Sequence, residues 1–320
     1  MKPTIALRNL LAAGLAAVSM AAAAFPTRPV SIVVPFGAGS VTDLLARDIG
    51  KLLSEQIGQP VVVENRTGAE GLIGAQSVLT AAADGHTMMF TSSSLTVLDP
   101  LMRKQMPYNP NKDFAPVCGV GSNDNNLNVS ATSRYKTLAE FIAAAKANPG
   151  KLTFGYASAT TRLAGELFSQ AAAVKLTAVP YRTTIAGLTD VAGGQIDAFF
   201  VDHVSTSALR QSGKIRVLTV AGDQRLKAMP DVPSSKEQGL PDHDPKSFFA
   251  FYISAGTPAD TTQKLRQIVA QLMKTPAALD LVERRALTPV SLCGDQLSQH
   301  IARETERMRE VIERAGIEKQ

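Results

Sequence analysis

Short apolar runs rich in Val, Ile and Phe alternate along this chain with longer stretches whose apolar residues recur at helical spacing. Repeated strand–helix–strand alternation demands parallel sheets with helices on their faces, because each strand must cross over a helix to rejoin its neighbour. The first unit is Val30 to Val34, ending at Pro35, then a glycine-containing turn, then Thr42 to Ile57 with Leu44, Leu45, Ile49, Leu52 and Leu53 on one face. Further units start at Val61 to Val63 before a helix over 68–83, at Thr87 to Phe90 before a serine-rich turn, and at Leu152 to Tyr156 before Leu163 to Ala173. Leu176 to Val179 precedes Ala186 to Val191, Ala198 to Val201 precedes Val204 to Gln211, and Ile215 to Val220 follows. Phe248 to Ile253 reads as another strand, Pro258 to Met273 as a helix, and Asp295 to Ala315 as a last amphipathic helix stopped by Gly316.

A chain of 320 residues exceeds the size at which one hydrophobic core stops growing, about 250–300 residues. Two polar breaks, Gly119 to Asn126 and Leu240 to Lys246, suggest one lobe inserted into another. The expected fold is therefore α/β, with two Rossmann-like lobes joined by a two-crossing hinge. Lobe one covers residues 25–122 plus 249–320, and lobe two covers 123–248. A cleft lies between them.

Residues 1–24 read as a cleaved signal peptide: Lys2 and Arg8 are its positive end, Leu10 to Val18 its apolar centre, and Ala22-Ala23-Ala24 its small-residue cutting site. The uncharged stretch is shorter than the ~20 apolar residues a membrane span needs. Export to the periplasm is implied. It would allow Cys118 and Cys293 to pair, although two separate buried thiols fit the sequence equally. Their spacing matches neither a redox pair nor a zinc site, so no metal and no cofactor is expected. The net charge of +5 includes Lys2 and Arg8, aromatic residues are 5%, and Trp is absent, which argues against a nucleic-acid partner.

Ligands of open α/β sheets sit beyond the carboxyl ends of strands, where the following helices point their positive ends. Four such loops are small and polar. The first is Phe36-Gly37-Ala38-Gly39-Ser40-Val41, followed by Thr42 and Asp43; its glycines let peptide N–H groups approach an anion. A dinucleotide fingerprint would need a third glycine, and a phosphate-binding loop would need a lysine. The second loop offers Ser92 and Ser93; the third offers Ser158, Ala159, Thr160, Thr161 and Arg162; the fourth offers Thr183, Thr184 and Ile185. Asp43 and Asp202 read as helix caps or cleft carboxylates. No G-x-S-x-G or H-E-x-x-H motif is present, and the four histidines are scattered, so catalysis finds little footing.

V-V-P-F-G-A-G-S-V-T-D (33–43), G-Q-P-V-V-V-E-N-R-T-G-A-E-G (58–71) and A-D-G-H-T-M-M (83–89) together resemble the Bug-type, TctC-like solute receptors of tripartite tricarboxylate transporters. Y-N-P-N-K-D-F-A-P-V (108–117), L-A-G-E-L-F (163–168), V-P-Y-R (179–182), G-G-Q-I-D (193–197), M-P-D-V-P (229–233) and A-G-T-P (255–258) extend the resemblance over the chain. It implies a monomeric periplasmic binding protein of type II-like fold, closing on a small carboxylate that passes to membrane permease subunits. It also implies a ligand site built from the four loops and Asp202. Two departures stand out: Gly37-Ala38-Gly39-Ser40 replaces the family's P-P-G-G, and the loop after Y-A-S is shorter. An acid held by N–H groups of Gly37 to Val41 and by hydroxyls of Ser92, Thr160 and Thr183 is the expected mode, with Arg162 as a possible added charge. The alternatives are an exported α/β enzyme acting on a small carboxylate, and a ligand sensor partnering a membrane kinase.

Overall fold

Val30–Val34 (β1) is almost wholly buried, as a central strand covered on both faces must be. In the computed structural model, which describes residues 25–319, β1 lies parallel to both of its neighbours, Val61–Asn65 (β2) and Thr87–Ser92 (β3). The predicted signal peptide at residues 1–24 lies outside the described residues. Phe114–Asn123 (β4), Ser247–Ser254 (β10) and Thr288–Pro289 (β11) complete this sheet, in the order β11-β4-β10-β3-β1-β2. A second sheet takes Asn126–Ser130 (β5), Thr153–Tyr156 (β6), Thr177–Pro180 (β7), Ala198–Val201 (β8) and Ile215–Val220 (β9), in the order β7-β6-β8-β5-β9. The chain passes between the sheets twice, after β4 and before β10.

The sheets are mixed, which corrects the expectation of parallel sheets. Strand β10 runs antiparallel to β3 and β4, and β5 runs antiparallel to β8 and β9. Strands β4, β5 and β10 are the ones that enter or leave a lobe, so no crossover helix dictates their direction. The polar stretch Gly119 to Asn126 is mostly strand, with only Asp124 and Asn125 between β4 and β5. Its glycines look like a loop in the sequence but answer a packing demand: a Cβ at Gly119 would lie 2.8 Å from the Val290 carbonyl oxygen.

Each sheet is flanked by helices that begin just after a strand. In the first lobe these are Val41–Ile57 (α1) and Leu72–Leu79 (α2), and in the second Leu138–Ala147 (α3), Ala159–Ala171 (α4), Thr184–Ala192 (α5) and His203–Gln211 (α6). Ala259–Leu272 (α7), Pro276–Arg284 (α8) and Asp295–Arg314 (α9) return to the first sheet. Helix α2 is shorter than the predicted 68–83 because Gly68 and Gly71, with φ of 133° and 106°, turn the chain before it starts. Helices α3 and α8 lie outside the predicted set, although caps mark both: Thr137 with Glu140 as a capping box, and Thr275 before Pro276.

Strict alternation divides the core. Phe249, Phe251 and Ile253 of β10 face the α1 and α7 side of the sheet, whereas Phe248, Ala250 and Tyr252 face the α9 side. In the second lobe Ala198 and Phe200 go one way, Phe199 and Val201 the other. Two helices break the separation between lobes: Leu163 and Leu167 of α4 join the core cluster of Leu101, Leu297 and Ile301, and Val204 of α6 joins that of Val41 and Leu45. Fully burying one such side chain is worth about 1.5–3 kcal/mol, so lobe contact is favoured without any ligand. Cys118 on β4 and Cys293 just before α9 form a disulfide, which settles the pairing that the sequence left open.

His243 lies in the turn before β10, fully buried, edge-on to Phe168 and Phe200 and without a hydrogen bond to either ring nitrogen. Burial pulls its pKa down to about 4, and the nearby Ala164 main chain offsets this only partly. The unfolded imidazole has its ordinary value near 6.5, so below that pH the unfolded chain binds the extra proton and stability falls as pH drops towards 4. Asp99 and Asp124, both pushed up to about 6 chiefly by burial, act in the opposite sense over much of that range. A difference measurement isolates the histidine. The stability of wild type minus that of His243→Met, from urea melts, should fall by roughly 3 kcal/mol between pH 7 and pH 4. A constant difference would mean that the ring is protonated in the fold.

Candidate ligand-binding site

Four helices, α1, α4, α5 and α6, open with their first turns towards one cleft between the sheets. Each is capped by the residue type that the sequence supplies. Ser40 accepts the Asp43 N–H, Ser158 the Thr161 N–H, Thr183 the Ala186 N–H and Asp202 the Ser205 N–H. These caps occupy the third N–H of each helix. The cleft has a volume of about 390 Å³ out to its mouth, and the lobes touch across it where the Val41 N–H meets Ser205 and the Ala159 N–H meets Ser94.

Of the sequence-derived candidates, Phe36, Ser40, Val41, Ser92, Ser158, Thr160, Thr161, Thr184 and Asp202 line the cleft. Gly37 and Gly39 border it at the lobe contact, where Thr183 and Ile185 of the second lobe approach them. The remaining candidates point elsewhere. Asp43 is buried behind the first loop, accepting the Gly39 N–H at 2.9 Å and the Asn65 amide at 2.9 Å and pairing with Arg47 at 3.0 Å. Burial raises its pKa, but these donors prevail and hold the carboxyl below its usual range. Its task is to shape the loop. Arg162 lies against the Tyr156 ring, with its Nε 3.6 Å from Glu166, and is not among the lining residues. Ser93 hydrogen-bonds Ser247 at 3.2 Å. Ala38 is exposed on the first loop, and Ala159 is buried in the core with its N–H donated to Ser94.

Thr42, expected as part of the first loop, also lines the cleft, and six lining residues were not anticipated: Asn123, Asn125, Val201, Ser205, Ser247 and Phe249. Ser205 had a local signal, three residues beyond the cap Asp202. Asn123 and Asn125 lie in a stretch noticed only as a break. Phe249 and Ser247 had none, because β10 reaches the cleft from a distant part of the chain.

The electrostatics are those of an anion site without a cation. Among the described residues, no Lys or Arg lines the cleft, and Asp202 is the one charged side chain that does. Burial raises the Asp202 pKa, against hydrogen bonds from the Ser205 N–H and hydroxyl. Positive potential comes instead from the helix ends, each equivalent to roughly half an elementary charge. The N–H groups of Thr42 in α1 and Thr160 in α4, both at the second helical position and both lining the cleft, have no hydrogen-bond partner among the described residues. One lies in each lobe. Hydroxyls of Ser92, Ser158, Thr160 and Thr184 stand beside them, and no group of His, Cys, Asp and Glu among the described residues is arranged to hold a metal.

Two α/β lobes, crossed twice by the chain and offering helix N-termini to a shared cleft, are the architecture of type II-like solute-binding proteins. The model of the tripartite tricarboxylate transporter family receptor, TctC, matches residues 45–317, and the chain belongs to this family. A UPF0065 protein encoded between tcbD and tcbE in Pseudomonas sp. strain P51 is 35% identical over 296 residues, covering 90% of this chain and 87% of that one. The protein BugT of Bordetella pertussis is 30% identical over 307 residues, covering 95% and 94%. Among solved structures, R. palustris Rpa4515 with adipate superimposes with a TM-score of 0.88 at 30% identity, covering 92% of this chain and 100% of that one.

Proposed function

We propose that this protein is exported to the periplasm after loss of residues 1–24, binds a small carboxylate between its lobes as a monomer, and delivers it to the membrane permease subunits of a tripartite tricarboxylate-type transporter. The moving bodies are residues 25–122 with 249–320, and residues 123–248. Binding alone is its activity. The observation that carries this reading is a pair of cleft-lining residues in opposite lobes, Thr42 and Thr160, whose N–H groups have no partner, with no cationic side chain lining the cleft, among the described residues. Peptide dipoles and hydroxyls attract a carboxylate yet release it more readily than a buried arginine pair would. The adipate-bearing neighbour supports a carboxylate as the class. The disulfide supports an oxidising compartment.

A thermal-shift and calorimetry screen against mono-, di- and tricarboxylates, amino acids and aromatic acids tests the reading. A true ligand at ~100 times its dissociation constant adds about 2.7 kcal/mol to stability. The acid should be recovered unchanged after prolonged incubation. Turnover of the acid would favour an exported enzyme, and no shift with any acid would remove the carboxylate.

A further inference from the structure

Val41 and Ala159 are the first residues of helices in opposite lobes, and the N–H of each is taken by a serine from the other lobe. The Val41 N–H donates to Ser205 Oγ at 3.2 Å, and the Ala159 N–H donates to Ser94 Oγ at 3.1 Å. In both cases the serine's own proton goes to an aspartate: Ser205 Oγ donates to Asp202 at 2.9 Å, and Ser94 Oγ donates to Asp99 at 3.3 Å. A hydroxyl whose proton is committed to a carboxylate turns its lone pairs towards an approaching N–H and becomes a stronger acceptor. Both aspartates are themselves held, Asp99 by Arg103 at 2.5 Å and Asp202 by the Ser205 N–H at 2.8 Å. All four of the serines and aspartates are buried.

The geometry points to Ser94 and Ser205 as crossed positioning residues that latch the closed lobes in one register. Each fixes the first N–H of the opposing helix, and the next N–H, that of Thr42 or Thr160, is thereby aligned on the cleft. This inference rests on reading the cleft as a ligand site that closes. The two latches are related by exchange of lobes, so neither lobe can tilt without breaking one of them. Both contacts are made between protein groups alone, so the latch should favour closure whether or not an acid is bound.

Small-angle scattering of the ligand-free protein tests the latch directly, with melting curves recorded alongside to confirm that each variant is folded. Ser94→Ala and Ser205→Ala should each lower the closed-to-open ratio by about tenfold, equivalent to ~1.4 kcal/mol, and the double variant should be the most expanded. Ser205→Thr keeps a hydroxyl and should restore most of the compaction. Ala159→Pro removes the donor that Ser94 accepts at a helical position where proline is tolerated, so adding it to Ser94→Ala should expand the protein no further. Calorimetry with succinate, malate and adipate should report the same loss as weaker binding. Identical scattering from wild type and the double variant would overturn the latch whichever acid binds. If no acid binds wild type, the receptor reading fails, and scattering still decides the latch.

Discussion

Gly37→Val should weaken carboxylate binding by about 100-fold or more while lowering the unliganded melting temperature by only a few degrees, the share that lobe contact contributes. A Cβ on Gly37 would lie 2.7 Å from Thr183 Cγ2 and 2.9 Å from Thr183 Cβ, across the cleft. Thr183 cannot rotate away cheaply, because its hydroxyl caps α5 by accepting the Ala186 N–H at 3.2 Å. The φ of Gly37 is outside the left-handed region, so valine brings no backbone strain of its own. The three atoms nearest such a Cβ all belong to Thr183 of the opposite lobe, so relief should come from parting the lobes and not from unfolding either. A receptor whose binding-competent state is rarely populated loses affinity in proportion. Calorimetry against the tightest acid from the screen, with a melting curve, measures both quantities. Unaltered affinity would show that the lobes need not approach this closely to hold the acid.

The second large effect concerns the disulfide. Cys118 and Cys293 are 175 residues apart in sequence, and the closed loop contains the whole second sheet. Chain-entropy arguments give about 5 kcal/mol for a loop of that length, with about 2–5 kcal/mol typical when a native disulfide is removed. The double variant Cys118→Ala with Cys293→Ala should therefore melt roughly 5–10 °C below wild type. Both residues lie in the first lobe and neither lines the cleft, so affinity for the acid should change less than threefold. A fall of under about 2 °C would mean that the buried face of α9, through Leu297, Ile301, Met308 and Ile312, already secures the C-terminal segment.

The two-lobed α/β architecture was legible in the sequence because alternation of strand and helix is a local property with a strong periodic signal. Strands β1, β3, β8 and β9 and helices α1, α7 and α9 were recognised near their observed bounds. The failures came where long-range packing overrode local composition. The second half of strand β4, with Gly119 and Gly121, reads as a polar break, yet the segment 288–290 lies so close that larger residues would collide with it. Strand direction at the crossings was likewise invisible, since no helix intervenes to impose a parallel connection. Family resemblance pointed to the four loops, but not to which of their atoms face the cleft. Asp43 and Arg162 carry charges that invite a binding role in the sequence, and both are turned to partners within their own lobe.

Capping decides what sequence alone could determine. Ser40, Ser158, Thr183 and Asp202 each lie within three residues of the N–H they satisfy, so the presence of four helix N-termini follows from neighbouring letters. Which N–H groups remain for a ligand does not. That depends on Ser205, 164 residues from Val41, and on Ser94, 65 residues from Ala159. Hydrogen bonds over such separations exist only once the lobes have folded and met, which is why the empty half of the donor set could be read from the tertiary structure alone.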